Sequence, residues 1–162
     1  MVWTNPRTWL AGEEPTAALY NTHIRDNLKA IGDAWTAYTP TWSASGTAPA
    51  LGNGTIVGAW MNAGKLVHGR IFLTMGSTTT YGTGNYTFTI PFSSTVGAQW
   101  FPMGGCVCRD ASAAATYYFG SFTAGITSIT GGSDSSARLG QLVPFTWANT
   151  DTLGISYTYE AA

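Results

Sequence analysis

The run LGISYTYE, Leu153–Glu160, decides the fold. Its Ile155, Tyr157 and Tyr159 fall on alternate positions, with Ser156 and Thr158 between them. Successive side chains of a strand point to opposite faces, so this is the pattern of a half-buried strand with one face in a core. The same period recurs in YTFTIP, Tyr86–Pro91, where Tyr86, Phe88 and Ile90 oppose Thr87 and Thr89. Further strands are predicted at Thr36–Ala44, Thr55–Asn62, Leu66–Met75, Gln99–Arg109, Thr116–Phe122, Thr127–Ile129 and Val143–Trp147. The breaks carry turn residues: Asn53-Gly54, Asn62-Ala63-Gly64, Tyr81-Gly82-Thr83-Gly84-Asn85 and Gly131-Gly132-Ser133-Asp134. Short strands at this spacing predict a mainly β protein whose body, residues 36–162, is a β-sandwich of the jelly-roll kind. Pro91, Pro102 and Pro144 belong at strand ends, edges or bulges, because proline cannot donate to a ladder.

One segment breaks the pattern. In TAALYNTHIRDNLKAI, Thr16–Ile31, the side chains Ala17, Tyr20, Ile24, Leu28 and Ile31, continued by Trp35, recur at steps of three or four. That period puts them on one face of a helix. Thr16 is placed to cap its first turn, Glu13 and Glu14 to favour its N-terminal dipole, and Gly32 to end it in the left-handed conformation. The stripe also reads as heptads, with Ala17, Ile24 and Ile31 at a and Tyr20, Asn27 and Ala34 at d. A polar Asn27 in such a seam is the kind of residue that fixes register. Two uses are open: packing across a sheet of its own domain, or self-association about an axis. Ahead of the helix, Met1–Pro15 reads as an extended arm carrying Trp3 and Trp9, rings costly to leave in water. They anchor the arm on the chain's own β body or, the favoured reading, on a neighbour. The chain is thus divided into residues 1–35, for docking and oligomerisation, and residues 36–162.

Composition narrows the function. Charged residues make up 9% of the 162, against about 25% in ordinary domains. Seven of the fifteen (Arg7, Glu13, Glu14, Arg25, Asp26, Lys29 and Asp33) precede Thr36, which leaves the β body almost uncharged. Such a surface suits a protein held in an assembly better than an isolated monomer. The net charge of −1 provides no field to capture nucleic acid. No apolar run reaches the ~20 residues that span a bilayer, and the first fifteen residues lack the basic start and apolar centre of a signal peptide. Synthesis in the cytosol is expected, without membrane partnership. Cys106 and Cys108, two apart in a strand, point to one face and read as small buried apolar groups rather than a disulfide or a metal site.

Catalytic patterns are sparse. GxSxG, HExxH, P-loop and dinucleotide fingerprints do not occur. The acids of the body, Asp110, Asp134, Asp151 and Glu160, sit beside Gly, Ser, Thr or the chain end, as solvated turn acids do. His68 reads as a packed or edge residue and His23 as a solvated one. No enzyme activity and no cofactor are expected. A binding surface is the better candidate. Tyr117, Tyr118 and Phe119 are consecutive, so at least one ring faces outward. With Tyr81, Trp60 and Trp100 they offer aromatic faces for subunit packing or for a carbohydrate.

Several of these runs resemble phage proteins. WLAGEEPTAALYNTHIRDNLKAI, Trp9–Ile31, is similar to the opening of many phage and prophage virion proteins, with a tryptophan arm, a Thr-Ala start and an Asn-x-x-x-Arg-Asp-Asn helix. The body runs AYTPTW (Ala37–Trp42), LGNGT (Leu51–Thr55), GKLVH (Gly64–His68), TFTIP (Thr87–Pro91) and PFTW…DTLGISYTYEA (Pro144–Ala161) add to it. Together they resemble small tail-fibre, minor tail or capsid-decoration proteins of phages infecting actinobacteria. The resemblance implies a virion location, partner virion proteins, and an often trimeric β body presented outward to a host surface glycan. In this family the N-terminal segment does the attaching, here through Trp3, Trp9, Tyr20, Ile24, Asn27, Leu28, Ile31 and Trp35. The chain departs from the family in having no fibre repeat between helix and body. Tail, capsid decoration and carbohydrate-binding module remain the alternatives.

Overall fold

Residues 36–44 run as one extended segment, but its two halves pair with strands at opposite edges of the sheet. The computed structural model describes residues 4–32, 34–95, 102–132 and 137–162. Strand β1 (Thr36–Tyr38) lies antiparallel to β3 (Thr55–Ala63), and β2 (Trp42–Ala44) lies antiparallel to β5 (Tyr86–Thr89). Between them Thr39, the buried Pro40 and Thr41 are unpaired as strand, so the single predicted strand Thr36–Ala44 is corrected to two. Pro40 has no N–H to give a ladder, and it marks the point where the chain changes partner. The remaining strands are β4 (Leu66–Thr74), β6 (Pro102–Asp110), β7 (Ala115–Gly125), β8 (Ser128–Gly132) and β9 (Thr152–Glu160). All nine join in one antiparallel sheet in the order β1-β3-β4-β9-β6-β7-β8-β5-β2. Because the outermost strands are separated by three residues of chain, the sheet has to curl until its edges meet. The result is mainly β and sandwich-like, as the alternation predicts.

The curl gives each strand an inner and an outer face. In β4 the residues Val67, Gly69, Ile71 and Leu73 are buried while Leu66, His68, Arg70 and Phe72 are exposed. In β9 Leu153, Ile155, Tyr157 and Tyr159 point inward. Cys106 and Cys108 from β6, Ile129 from β8, and Tyr86 and Phe88 from β5 complete the interior. Both cysteines are free and buried, with their sulfurs 4.0 Å apart. The Cys106 thiol and burial together hold the Cys108 thiol well above its ordinary pKa. Pro102 begins β6 at a register shift, as its missing N–H requires. Val143–Trp147, expected as a strand, is irregular instead. It makes a single bridge from Val143 to Gly140 and is anchored by the buried Trp147, whose Nε1 donates to the Gly140 carbonyl at 2.9 Å.

Two tyrosines hold the first and fourth strands of the sheet order together. The Tyr38 ring covers Gly58 and the Tyr157 ring covers Gly69, and a Cβ at either glycine would collide with the ring above it. The two hydroxyls meet at 2.7 Å, and Tyr38 also reaches the Thr89 carbonyl at 3.4 Å. Burial pushes the Tyr38 pKa up to about 12, with the Tyr157 hydrogen bond acting against it. Burial also raises Tyr157, and it pushes Tyr159 up to about 12. These shifts set a pH window. The folded state keeps protons that an unfolded chain releases above pH 10, so the stabilisation is complete below 10 and is lost as pH rises through about 12. In denaturant titrations the midpoint should therefore fall steeply from pH 9 to pH 11.5. In a Tyr38→Phe/Tyr157→Phe variant, where neither hydroxyl is left alone, the fall should be shallower. Equal slopes in the two proteins would refute this assignment.

Candidate functional site

The helix begins as predicted. Thr16 caps α1 (Ala17–Tyr20), its Oγ1 accepting from the Leu19 N–H at 3.3 Å. Asn21–Arg25 then forms a π-helical turn before α2 (Asp26–Gly32). Such a turn carries one extra residue and rotates the next helical segment about the axis. Gly32 is the last helical residue and its φ is not positive, which corrects the expected left-handed cap. The side buried in the chain is Asn27 and Ala30. Asn27 Nδ2 donates to the carbonyls of Thr4 (2.8 Å) and His23 (3.1 Å), while its Oδ1 accepts from the Thr4 N–H at 3.0 Å. This amide pins the arm, so Asn27 is engaged within the chain and does not face outward in the stripe. His23 is half-buried with Nδ1 turned inward and unpartnered, which corrects the expectation that it is solvated.

From Thr4 the arm runs back along the helix, antiparallel to it. The Trp9 ring lies 6.0 Å from Tyr20, the Arg7 guanidinium sits over Trp9, and Arg7 pairs with Glu13 at 2.7 Å. The arm thus grips its own helix, a partner not among those foreseen for it; Trp3 lies outside the described residues. What the helix leaves outside is its apolar stripe: Tyr20 50% exposed, Ile24 39%, Leu28 65% and Ile31 50%. Trp35 stands apart from them. It packs on the outer face of β4, edge-on to His68 at 5.3 Å and under the Arg70 guanidinium at 4.8 Å.

The aromatic candidates do not share a face. Tyr118 is 76% exposed on β7, whereas its neighbours Tyr117 and Phe119 turn toward the core, Tyr117 against Phe145 at 5.3 Å. Tyr81 is half-buried, and its carbonyl accepts from the Tyr86 hydroxyl at 2.8 Å. Trp60 packs edge-on against Phe92 at 4.7 Å. Trp100 lies outside the described residues.

The acids are dispersed. Asp110 receives the Ser112 hydroxyl (2.7 Å) and the Ala113 N–H (3.0 Å) in the β6–β7 turn, and these bonds lower its pKa, the hydroxyl most. Asp151, expected as a solvated turn acid, is instead completely buried. Its Oδ1 accepts from the Ala111 N–H at 2.9 Å and its Oδ2 from the Ala148 N–H at 2.7 Å, joining two turns. Asp134 lies outside the described residues. Among the described residues no cluster of three His, Cys, Asp or Glu side chains forms, and no helix is long and apolar enough to cross a membrane. The His68 Nδ1 meets the Thr158 hydroxyl at 2.8 Å, a cross-strand pair on the outer face.

A second surface escaped the alternation rule. Across the outer face Val57, Phe72, Gly154, Val107 and Tyr118 occupy one register row on β3, β4, β9, β6 and β7. Their exposures are 58% for Val57, 49% for Phe72 and 40% for Val107. Val57, Phe72, Val107 and Gly154 line a hollow of about 500 Å³ together with Arg70, Gly105 and Ser156. The signal was present in the unbroken apolar runs Ile56-Val57, Ile71-Phe72-Leu73 and Cys106-Val107-Cys108, since a strand covered on both faces is apolar on both.

Comparison with protein families, curated proteins and solved structures returned no match. The functional argument therefore rests on the surfaces just described. Asp151 gives a control on their framework. Asp151→Asn would set an NH2 group against one of two buried N–H donors, costing about 1–3 kcal/mol and lowering the melting temperature by roughly 3–10 °C. Asp110→Asn, on an exposed turn, should change it little. Scanning calorimetry of both variants checks the contrast, and equal melting temperatures would contradict the role given to Asp151.

Proposed function

We propose that this chain is a non-enzymatic structural component of a phage virion: a homotrimeric minor tail or short tail-fibre protein. It docks through its N-terminal arm and helix and presents its β body outward, toward the host surface. The observation that carries this reading is the helix stripe. Tyr20, Ile24, Leu28 and Ile31 are exposed, while the arm is pinned by Asn27 and reaches Tyr20 through Trp9, and α2 meets β3. Exposed apolar surface of this kind marks an interaction site. The charge-poor body points to a crowded, assembled setting. The resemblance of Trp9–Ile31 and of the body runs to virion proteins supplies which setting. Attachment and self-association both draw on one short element, which fits a stubby projection without fibre repeats.

Among the described residues the buried β core cluster draws on none before Tyr38, which supports a β body that folds without that element. Ile24→Asp with Leu28→Asp should reduce incorporation into particles at least tenfold, since removing an interface hot spot costs ~2 kcal/mol or more. The same change should leave the melting temperature of the purified protein nearly unaltered, and residues 36–162 alone should unfold cooperatively. Quantitative mass spectrometry of purified virions checks the first point and separates a few-copy tail protein from a many-copy capsid decoration. Wild-type occupancy by the double variant would overturn the docking role.

A further inference from the structure

Arg138 is held by its backbone between two strands. It bridges Gly132 at the end of β8, and the next residue, Leu139, is buried in the core. The Leu139 N–H donates to the Gly131 carbonyl at 2.8 Å, and its carbonyl accepts from the Tyr86 N–H of β5 at 2.8 Å. The chain then stays against the turn ahead of β5: Gly140 bridges Asn85, and the Gln141 N–H donates to the Gly84 carbonyl at 3.4 Å. This approach needs glycine on both sides. Gly84 has a φ of 88°, and a Cβ at Gly140 would lie 2.5 Å from the Gly84 carbonyl oxygen. Arg138 thereby divides a shallow groove. One half, about 180 Å³, is lined by Ser45, Asn85, Thr87 and Arg138, with the buried Thr130 fixed beneath by its hydroxyl, which donates to the Tyr86 carbonyl at 2.6 Å. The other half, about 200 Å³, is lined by Asn85, Arg138, Gln141 and Leu142. The Ser45 hydroxyl accepts from the Asn85 N–H at 2.9 Å, which ties the first half to the residue that both share.

We infer that this groove binds an acidic glycan, Arg138 taking the carboxylate of a sugar acid and the amides of Asn85 and Gln141 its hydroxyls; a uronate is the simplest such ligand. Charge chooses the anion. Among the described residues no Asp or Glu lines either half, so the guanidinium sets the field in the groove. Its planar fork matches a carboxylate. Chemistry chooses the sugar. A side-chain amide both donates and accepts, as the hydroxyls of a sugar ring require. Leu142, 66% exposed, offers an apolar edge to the C–H side of the ring. Each half is smaller than the ~300 Å³ at which pockets for drug-sized ligands begin, so each has room for one small ring. The inference deepens the proposed role and rests on it only for the statement that the β body faces a host surface.

Titration of the purified full-length chain with sodium glucuronate at constant ionic strength, followed by amide NMR, tests it. The backbone resonances of Asn85, Arg138 and Gln141 should shift and saturate. Glucose, which lacks the carboxylate, and acetate and phosphate, which lack the ring, should each bind about tenfold more weakly. Arg138→Gln should weaken glucuronate binding about thirty-fold, and Asn85→Ala and Gln141→Ala about fivefold each. The two alanine variants touch no core side chain and should keep the wild-type melting temperature, so they carry the test even where Arg138→Gln disturbs its loop. No shift at these three residues overturns the inference, as does glucose binding as well as glucuronate. An equal response to acetate or phosphate means an adventitious ion only and overturns it too, and so does wild-type affinity in both alanine variants. Virion content separates the two readings. A chain that takes glucuronate but is absent from particles refutes the location and leaves the groove standing, whereas a particle component that ignores glucuronate does the reverse.

Discussion

Closure of the sheet depends on residues 36–44, which supply both of its outer strands. With β1 on β3 and β2 on β5, joined through Pro40, curling is a covalent requirement. Thr89 strengthens the junction: its N–H donates to the Thr41 carbonyl at 3.1 Å, and its Oγ1 accepts from the Thr41 N–H at 2.8 Å. An open nine-stranded sheet would present two unpaired ladders to any neighbouring chain. Here both outer strands are only three residues long and adjacent in sequence, so each presents only a short ladder of its own. Pairing of β1 with β3 sets the Tyr38 ring over Gly58, pairing of β4 with β9 sets Tyr157 over Gly69, and the two hydroxyls meet at 2.7 Å in the interior.

Period-two alternation made most of this legible. Tyr157 and Tyr159 in LGISYTYE, and Tyr86 and Phe88 in YTFTIP, point inward as the alternation requires. What stayed hidden depended on partners distant in sequence. The break at Pro40 is invisible to a local pattern, because Thr36–Ala44 is extended throughout and only its pairing changes. Val143–Trp147 has the composition of a strand, but Trp147 is committed to the core and to Gly140. Asp151 looked like any turn acid, because nothing local says that Ala111, 40 residues away, needs its carboxylate.

The site was legible in part for the same reason. Tyr20, Ile24, Leu28 and Ile31 are all exposed, but the π turn between Tyr20 and Leu28 means that they do not share the single face an unbroken helix would give them. The roles of Asn27 and Trp35 were not readable from that spacing. The π turn at Asn21–Arg25 alters the helical phase, which gives Asn27 to the arm, and Trp35 falls beyond the helix, on His68 and Arg70. On the sheet the rule of one apolar face conceals the outer row, since it assigns no role to Phe72 and Val107 within the predicted strands Leu66–Met75 and Gln99–Arg109.

The proposed role needs a neighbour seated on the helix stripe. Hydroxyl-radical footprinting reads this directly, by comparing side-chain reactivity in dilute and in concentrated solutions of the purified chain. Tyr20 and Leu28 are expected to lose reactivity as the chain associates, while Ile126 and Leu142, exposed on the body, keep theirs. Undiminished labelling of Leu28 in the associated protein would contradict it.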